Sequence, residues 1–255
     1  MIYPTKFVDW AEVHDWSWRL ARKVRGSAWR PDVIVAVGRG GLVVSRMLCD
    51  LLEVEELLAL PVRWHERERR NGETYLADLV RAYARAHADG SPPDGGIAEV
   101  VSSLEVKVDF EPEADLRGRR ALLVEEIVAT GMHFKVAKEI IGGKYGSSET
   151  RTATLVWKGP EISLPDYYVI RPGKFVWFQF PWSRLSDYVQ FLRAMLAWES
   201  KDGGRHIWSE DEVKEKFMAW YGGAPDEKYL REALSALERD GTIELLDGRR
   251  ISARI

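Results

Sequence analysis

A chain of 255 residues, 45% apolar and 30% charged, carries enough apolar material for a core, in one large domain or a domain of roughly 200 residues with a small appendage. The net charge of −3 gives no global attraction to nucleic acid or to an anionic membrane, and no run approaches the roughly 18 apolar residues of a membrane span. The N-terminal MIYPTKFVDW lacks the basic-then-apolar order of a signal peptide, so a cytoplasmic location is expected.

In chain order, Trp10 to Ala28 carries apolar residues at helical spacing, with Gly26 near its end. Asp32 to Val37 (DVIVAV) is a short, β-branched apolar run, which suits a strand buried on both faces of a parallel sheet. GRGG follows, then a helix over Leu42 to Leu52. Its Cys49 is the chain's single cysteine, cannot form an internal disulfide and reads as a core thiol. Leu57 to Val62 is the next strand. Residues 64–100 change character: WHERERRNGE, a helical stretch, then GSPPDGG, read as an inserted excursion. Val100 to Phe110 alternates like a strand, Ala121 to Glu126 is a buried strand, and His133 to Tyr145 is its following helix. Arg151 to Trp157 and Tyr167 to Ile170 read as strands. Asn71 is the only asparagine, Gln179 and Gln190 the only glutamines, a composition that leans towards a hot environment.

Strands alternating with helices imply an α/β fold with a mainly parallel sheet. Ligands bind such sheets at the carboxyl ends of the strands, where GRGG and EEIVATG both fall. A polar boundary lies at Glu199 to Gly204. Beyond it come a helix over Ser209 to Trp220, a helix over Asp226 to Asp240, and two short strands about a DG turn. That order resembles the last part of a winged helix. From Glu199 to Ile255 there are 13 Asp/Glu against 10 Lys/Arg, whereas a DNA reader presents a basic face, so nucleic acid is an improbable partner.

ALLVEEIVATGMHF (residues 121–134) poses the chemical question. Two adjacent carboxylates repel, and burying one is costly unless it is paired. A strand ending in two acids, then a small-residue turn and a helix, is a way to hold a ribose phosphate. In such a site Glu125 and Glu126 would accept from ribose hydroxyls. Ala129, Thr130, Gly131, Met132 and His133 would wrap the 5′-phosphate with backbone N–H groups and the start of a helix.

This stretch resembles the phosphoribosyl-pyrophosphate (PRPP) signature of type I phosphoribosyltransferases, over about residues 30 to 185. The resemblance implies a parallel sheet core, a hood or flexible loop (here 64–100, with Arg63, Arg67, Arg69 and Arg70 at its start) and Mg²⁺-dependent transfer of ribose 5-phosphate to a base. VGRGGL resembles the family's pyrophosphate loop: Arg39 supplies charge, the amides of Gly40 and Gly41 supply donors, and a cis peptide is implied between Gly38 and Arg39. VWKGP, then VWFQFPW, resembles the base-binding segment of bacterial and archaeal 6-oxopurine enzymes. Lys158 would donate to the 6-oxo group, Trp177 would stack on the purine, and the backbone of Phe178 would meet the base edge; core packing is the other role open to Trp177.

The sequence departs from the pattern in three places. Ala129 stands where 6-oxopurine enzymes usually carry an aspartate thought to take the N7 proton. The acid pair is Glu-Glu rather than Asp-Asp or Glu-Asp. His133 replaces a Thr or Ser. The expectation is a type I phosphoribosyltransferase fold (residues 1–200) with a small winged-helix-like α+β domain (201–255), acting on hypoxanthine, guanine or xanthine as a homo-oligomer. A purine-nucleotide-sensing regulator and an adenine-type transferase stay open beside it.

Overall fold

The apolar runs that the sequence marks as buried strands pair into one sheet in the computed structural model, which describes residues 2–65, 75–90, 100, 104–159, 164–201, 205–246 and 250–254. The chain divides into two units, one formed by residues 9–65 and 105–175, the other by residues 1–8, 66–104 and 176–255.

The first unit holds helix α1 (Trp10–Gly26), β2 (Val33–Val37), α2 (Gly40–Leu52), β3 (Leu57–Leu60), β4 (Val62–His65), β5 (Glu105–Val108), β6 (Arg120–Val128), α4 (Met132–Lys138), β7 (Glu149–Trp157) and β8 (Tyr167–Ile170). Five of these strands form a sheet of order β3-β2-β6-β7-β8, parallel throughout. β2 is buried at every residue, as a strand covered on both faces must be. Its Val33, Val35 and Val37 share a cluster with Ala121 and Leu123 of β6 and with Phe134, Ala137 and Ile141 beyond the sheet. α1 begins with a capping box in which Asp9 accepts from the Glu12 N–H and the Glu12 carboxylate accepts from the Asp9 N–H. α4 runs on as a π-helical turn over Glu139–Lys144.

Two expected strands change shape. Leu57 to Val62 breaks at Pro61, which has no N–H for a ladder, so β3 ends at Leu60 and Val62 opens the separate antiparallel ribbon β4–β5. The run from Val100 to Phe110 shortens to Glu105–Val108. β6 extends two residues past Glu126, so the acid pair lies within its last turns of pleat rather than at its tip. Cys49 is buried, which pushes its thiol pKa up.

The second unit holds β1 (Thr5–Phe7), α3 (Tyr75–Asp89), β9 (Trp177–Gln179), α5 (Arg184–Lys201), β10 (Ile207–Ser209), α6 (Glu210–Tyr221), α7 (Glu227–Arg239), β11 (Ile243–Leu246) and β12 (Arg250–Ala253). β1 and β9 pair in parallel, with Thr5 opposite Trp177 and Lys6 opposite Phe178. α5 packs against α3 and α7. α5 leaves little mark in the sequence, because the apolar residues Tyr188, Phe191, Leu192, Ala194, Met195 and Leu196 spread beyond the one-faced stripe that betrays a surface helix. The last six elements run helix, strand, helix, helix, strand, strand, and β12 lies between β10 and β11 in an antiparallel sheet. Ser209 and Glu212 form a capping box on α6, and the Asp226 side chain caps α7. Buried Arg193 of α5 donates to Thr242 Oγ1 at 2.7 Å and pairs with Asp240, tying α5 to the end of α7. The expected DG turn lies outside the described residues.

Candidate functional site

Because β2, β6 and β7 are parallel, their carboxyl ends share one edge. The chain after β2 is the Gly38–Gly41 turn, the end of β6 carries Glu125 and Glu126, and Lys158 follows β7, its N–H donating to the Val128 carbonyl at 2.8 Å.

Gly38 makes the turn with φ of +69°, a conformation that glycine adopts without cost. That turn takes the place of the implied cis bond: the described peptides are all trans. Arg39 is exposed, and α2 begins at Gly40. A Cβ at Gly40 would lie 1.9–2.2 Å from the Glu126 carboxylate, and one at Gly41 would lie 2.5 Å from the Val124 carbonyl oxygen. The two glycines are there because β6 passes this close to the first turn of α2.

The acid pair avoids self-repulsion through the two-residue period of a strand. Glu126 turns towards the start of α2, whose partial positive end favours a carboxylate. Glu125 turns to the face of Ala121 and Leu123, is 8% exposed, and places Oε1 2.7 Å from Nδ1 of His133. The Trp64 ring lies against His133, centroid to centroid 4.5 Å. The turn between them has Gly131 at φ of +80°, the Met132 N–H donating to Thr130 Oγ1 at 3.2 Å, and Ala129 exposed. Trp64 is a neighbour that the sequence reading left in the excursion, and nothing in the sequence spacing couples residues 64 and 133.

Lys158 sits with its ammonium 4.9 Å from the Phe175 ring centroid, and burial lowers its pKa to about 8. Arg63 is bound to Asp109 through both carboxylate oxygens, at 2.9 and 2.7 Å, and that pairing holds the Asp109 carboxyl below its ordinary range. Lys107 lies opposite Arg63 across the β4–β5 ribbon, and Arg39 acts on the same Asp109, so three cations gather around one acid. Arg67, Arg69 and Arg70 lie outside the described residues.

In the second unit, Phe178 is buried and Trp177 is half-buried, its ring tilted against Tyr3 at 6.2 Å. The Trp177 indole N–H donates to Asp187 at 3.4 Å, and the Ser183 hydroxyl donates to the same oxygen at 3.0 Å. Burial raises the Asp187 pKa to about 7 despite these two donors. Asp187 escaped the sequence reading along with the helix that carries it. Pro181 is buried, and beside it Phe180 and Trp182 stack at 4.8 Å.

A glycine turn, an acid pair and a lysine on the carboxyl edge of a parallel sheet are the layout of an α/β protein that binds a nucleotide-like ligand. The family model described as "Phosphoribosyl transferase domain" matches residues 9–187, and the chain belongs to that family. Among solved structures it is similar to a purine phosphoribosyltransferase from Pyrococcus horikoshii Ot3, with 24% identity, 71% of this chain and 95% of that chain covered, and a TM-score of 0.50. It is also similar to a hypothetical protein from Neisseria gonorrhoeae with bound ppGpp, with 21% identity, 80% and 98% covered, and a TM-score of 0.51. At these identities the likeness is one of fold. No match is found among curated proteins. No described helix is long and apolar enough to cross a membrane.

Two outcomes follow from the geometry. Gly41→Ala forces a methyl against a backbone carbonyl, and overpacking of this kind costs about 1–3 kcal/mol in urea unfolding. Asp187 keeps its proton in the folded state between about pH 4 and pH 7, while the unfolded carboxyl has lost it. The folded state therefore binds more protons, and stability falls with rising pH across that window by up to about 1.4 kcal/mol per unit. Asp187→Asn removes this slope, read as the difference between wild-type and variant unfolding curves from pH 4.5 to 8.

Proposed function

We propose that the protein transfers ribose 5-phosphate from PRPP to a purine base, with a 6-oxopurine as acceptor. What carries the reading is the meeting of Arg39–Gly41, the Glu125–His133 segment and Lys158 on one sheet edge. In it, the Gly40 and Gly41 amides and the Arg39 charge receive the pyrophosphate. The turn Ala129–His133 receives the 5′-phosphate, and Glu126 faces the ribose. Lys158 donates to the exocyclic oxygen of the base. Arg39, Arg63 and Lys107 supply positive charge for the departing pyrophosphate.

Among the described residues no three His, Cys, Asp or Glu side chains gather as a metal cage. Mg²⁺ needs no such cage, since it binds through substrate phosphates and water more than through protein side chains. When bound with PRPP it neutralises charge on the pyrophosphate; no side chain here is assigned as its direct ligand. The Ala129 methyl takes no proton from the base, so the acceptor's proton leaves to solvent or to another group. The same alanine suits the adenine-type alternative. A homo-oligomer in the cytoplasm is the proposed working form.

A second reading has two observations behind it. The strand order β10-β12-β11 supports a winged-helix-like domain over 201–255, and Ala129 lacks a base. A catalytically weak sensor of PRPP or purine nucleotides, with that domain as its output module, fits both. The ppGpp held by the gonococcal protein is a ligand of the same anionic class.

Pyrophosphate release from PRPP and Mg²⁺, measured with hypoxanthine, guanine, xanthine and adenine in turn, separates the readings. Turnover is expected with a 6-oxopurine, and Lys158→Met is expected to raise the KM for that base about tenfold or more through loss of one charged hydrogen bond. Adenine turnover alone selects the adenine-type enzyme. Nucleotide or PRPP binding without turnover on any base selects the sensor.

A further inference from the structure

The proposed roles leave one buried pair unexplained. Glu125 was expected to accept from a ribose hydroxyl, yet its Oε1 is 2.7 Å from His133 Nδ1. Both side chains are about nine-tenths buried, at 11% and 12% exposure. Nε2 of the same ring is buried and has no hydrogen-bond partner among the described residues. A carboxylate on Nδ1 fixes the N–H there, so the neutral ring carries its lone pair on Nε2. A buried polar atom without a partner is costly and calls for one when the site is filled.

The chemistry of that ligand atom is constrained. A phosphate monoester dianion has acceptors only, so it cannot pair with a lone pair. It pairs with Nε2 only if Nε2 gains a proton, and the Glu125 carboxylate then balances the imidazolium. We propose that Glu125 is a positioning residue for His133, and that the pair recognises the ligand's phosphate monoester by taking up one proton from solvent on Nε2 as the anion binds. This rests on the reading of Ala129–His133 as a phosphate cradle. It also moves ribose recognition to Glu126, since the Glu125 Oε1 is committed to the histidine.

α4 packs against β2, β4, β5 and β6. The charged or titratable residues on those strands are Arg63 and His65 on β4, Glu105 and Lys107 on β5, and Arg120, Glu125 and Glu126 on β6; β2 has none. Arg63 is engaged by Asp109, Arg120 lies at the far end of β6 with Asp32, and Glu126 turns to α2. Glu125 is the carboxylate in hydrogen-bond reach of the ring.

The test is calorimetry of ribose 5-phosphate binding to the full chain at pH 7.5 to 8.5, in buffers of different ionisation enthalpy. The second pKa of a phosphate monoester is about 6, so the ligand is already a dianion and proton uptake reports on the protein. Net uptake of a proton is expected, with affinity falling by up to about tenfold per pH unit. His133→Gln keeps a neutral donor and is expected to lose both the uptake and the pH slope; Glu125→Gln is expected to weaken binding and reduce the uptake. Should a variant not fold, the imidazole C–H resonances of the wild type, followed with and without ribose 5-phosphate, show the ring becoming protonated on binding. Binding with no proton uptake, or a slope unchanged in His133→Gln, overturns this inference alone. No binding of either ribose 5-phosphate or PRPP removes the phosphate-cradle reading and this inference with it.

Discussion

The close approach of β6 to the first turn of α2 is the constraint on which the site depends. It demands an absent side chain at both Gly40 and Gly41, because the space is filled by the Glu126 carboxylate and the Val124 carbonyl. In return it puts a carboxylate and the helix start side by side at the sheet edge. The Gly38 turn then sets Arg39 at the surface directly before α2. A bulkier turn would separate these groups and leave Glu126 without the partial positive charge of the helix start.

The same strand geometry resolves the cost of two adjacent carboxylates. Strand alternation sends Glu125 and Glu126 to opposite faces of the sheet, where each meets a different partner. Coulomb repulsion between them is thereby exchanged for one hydrogen bond to an imidazole and one helix-end contact. The consequence is a division of labour, with one acid directed to the histidine and the other left towards the Gly38–Gly41 turn.

Elsewhere the chain pairs charge with charge around the site rather than leaving it bare. Arg63 is held by Asp109, and Lys158 lies against an aromatic ring while burial lowers its affinity for a proton. In the second unit the Asp187 carboxyl of α5 accepts from the indole N–H of Trp177.

What the sequence alone determined is what local physics determines. Five apolar runs, a glycine turn and an acid pair point to the parallel sheet and to its carboxyl edge, because strand burial and turn chemistry are written residue by residue. The two helices and two strands after Ser209 were legible for the same reason, through caps and alternation. Tertiary structure alone decided the rest. The opposition of Glu125 to His133, the covering ring of Trp64, the Asp187 beneath Trp177 and the split of Leu57–His65 at Pro61 depend on segments far apart in the chain or on which ladder a strand joins. α5 stayed hidden because a helix buried on most sides has no stripe to read. The sequence named both carboxylates as ligand groups; only packing turned one of them inward, to hold a histidine.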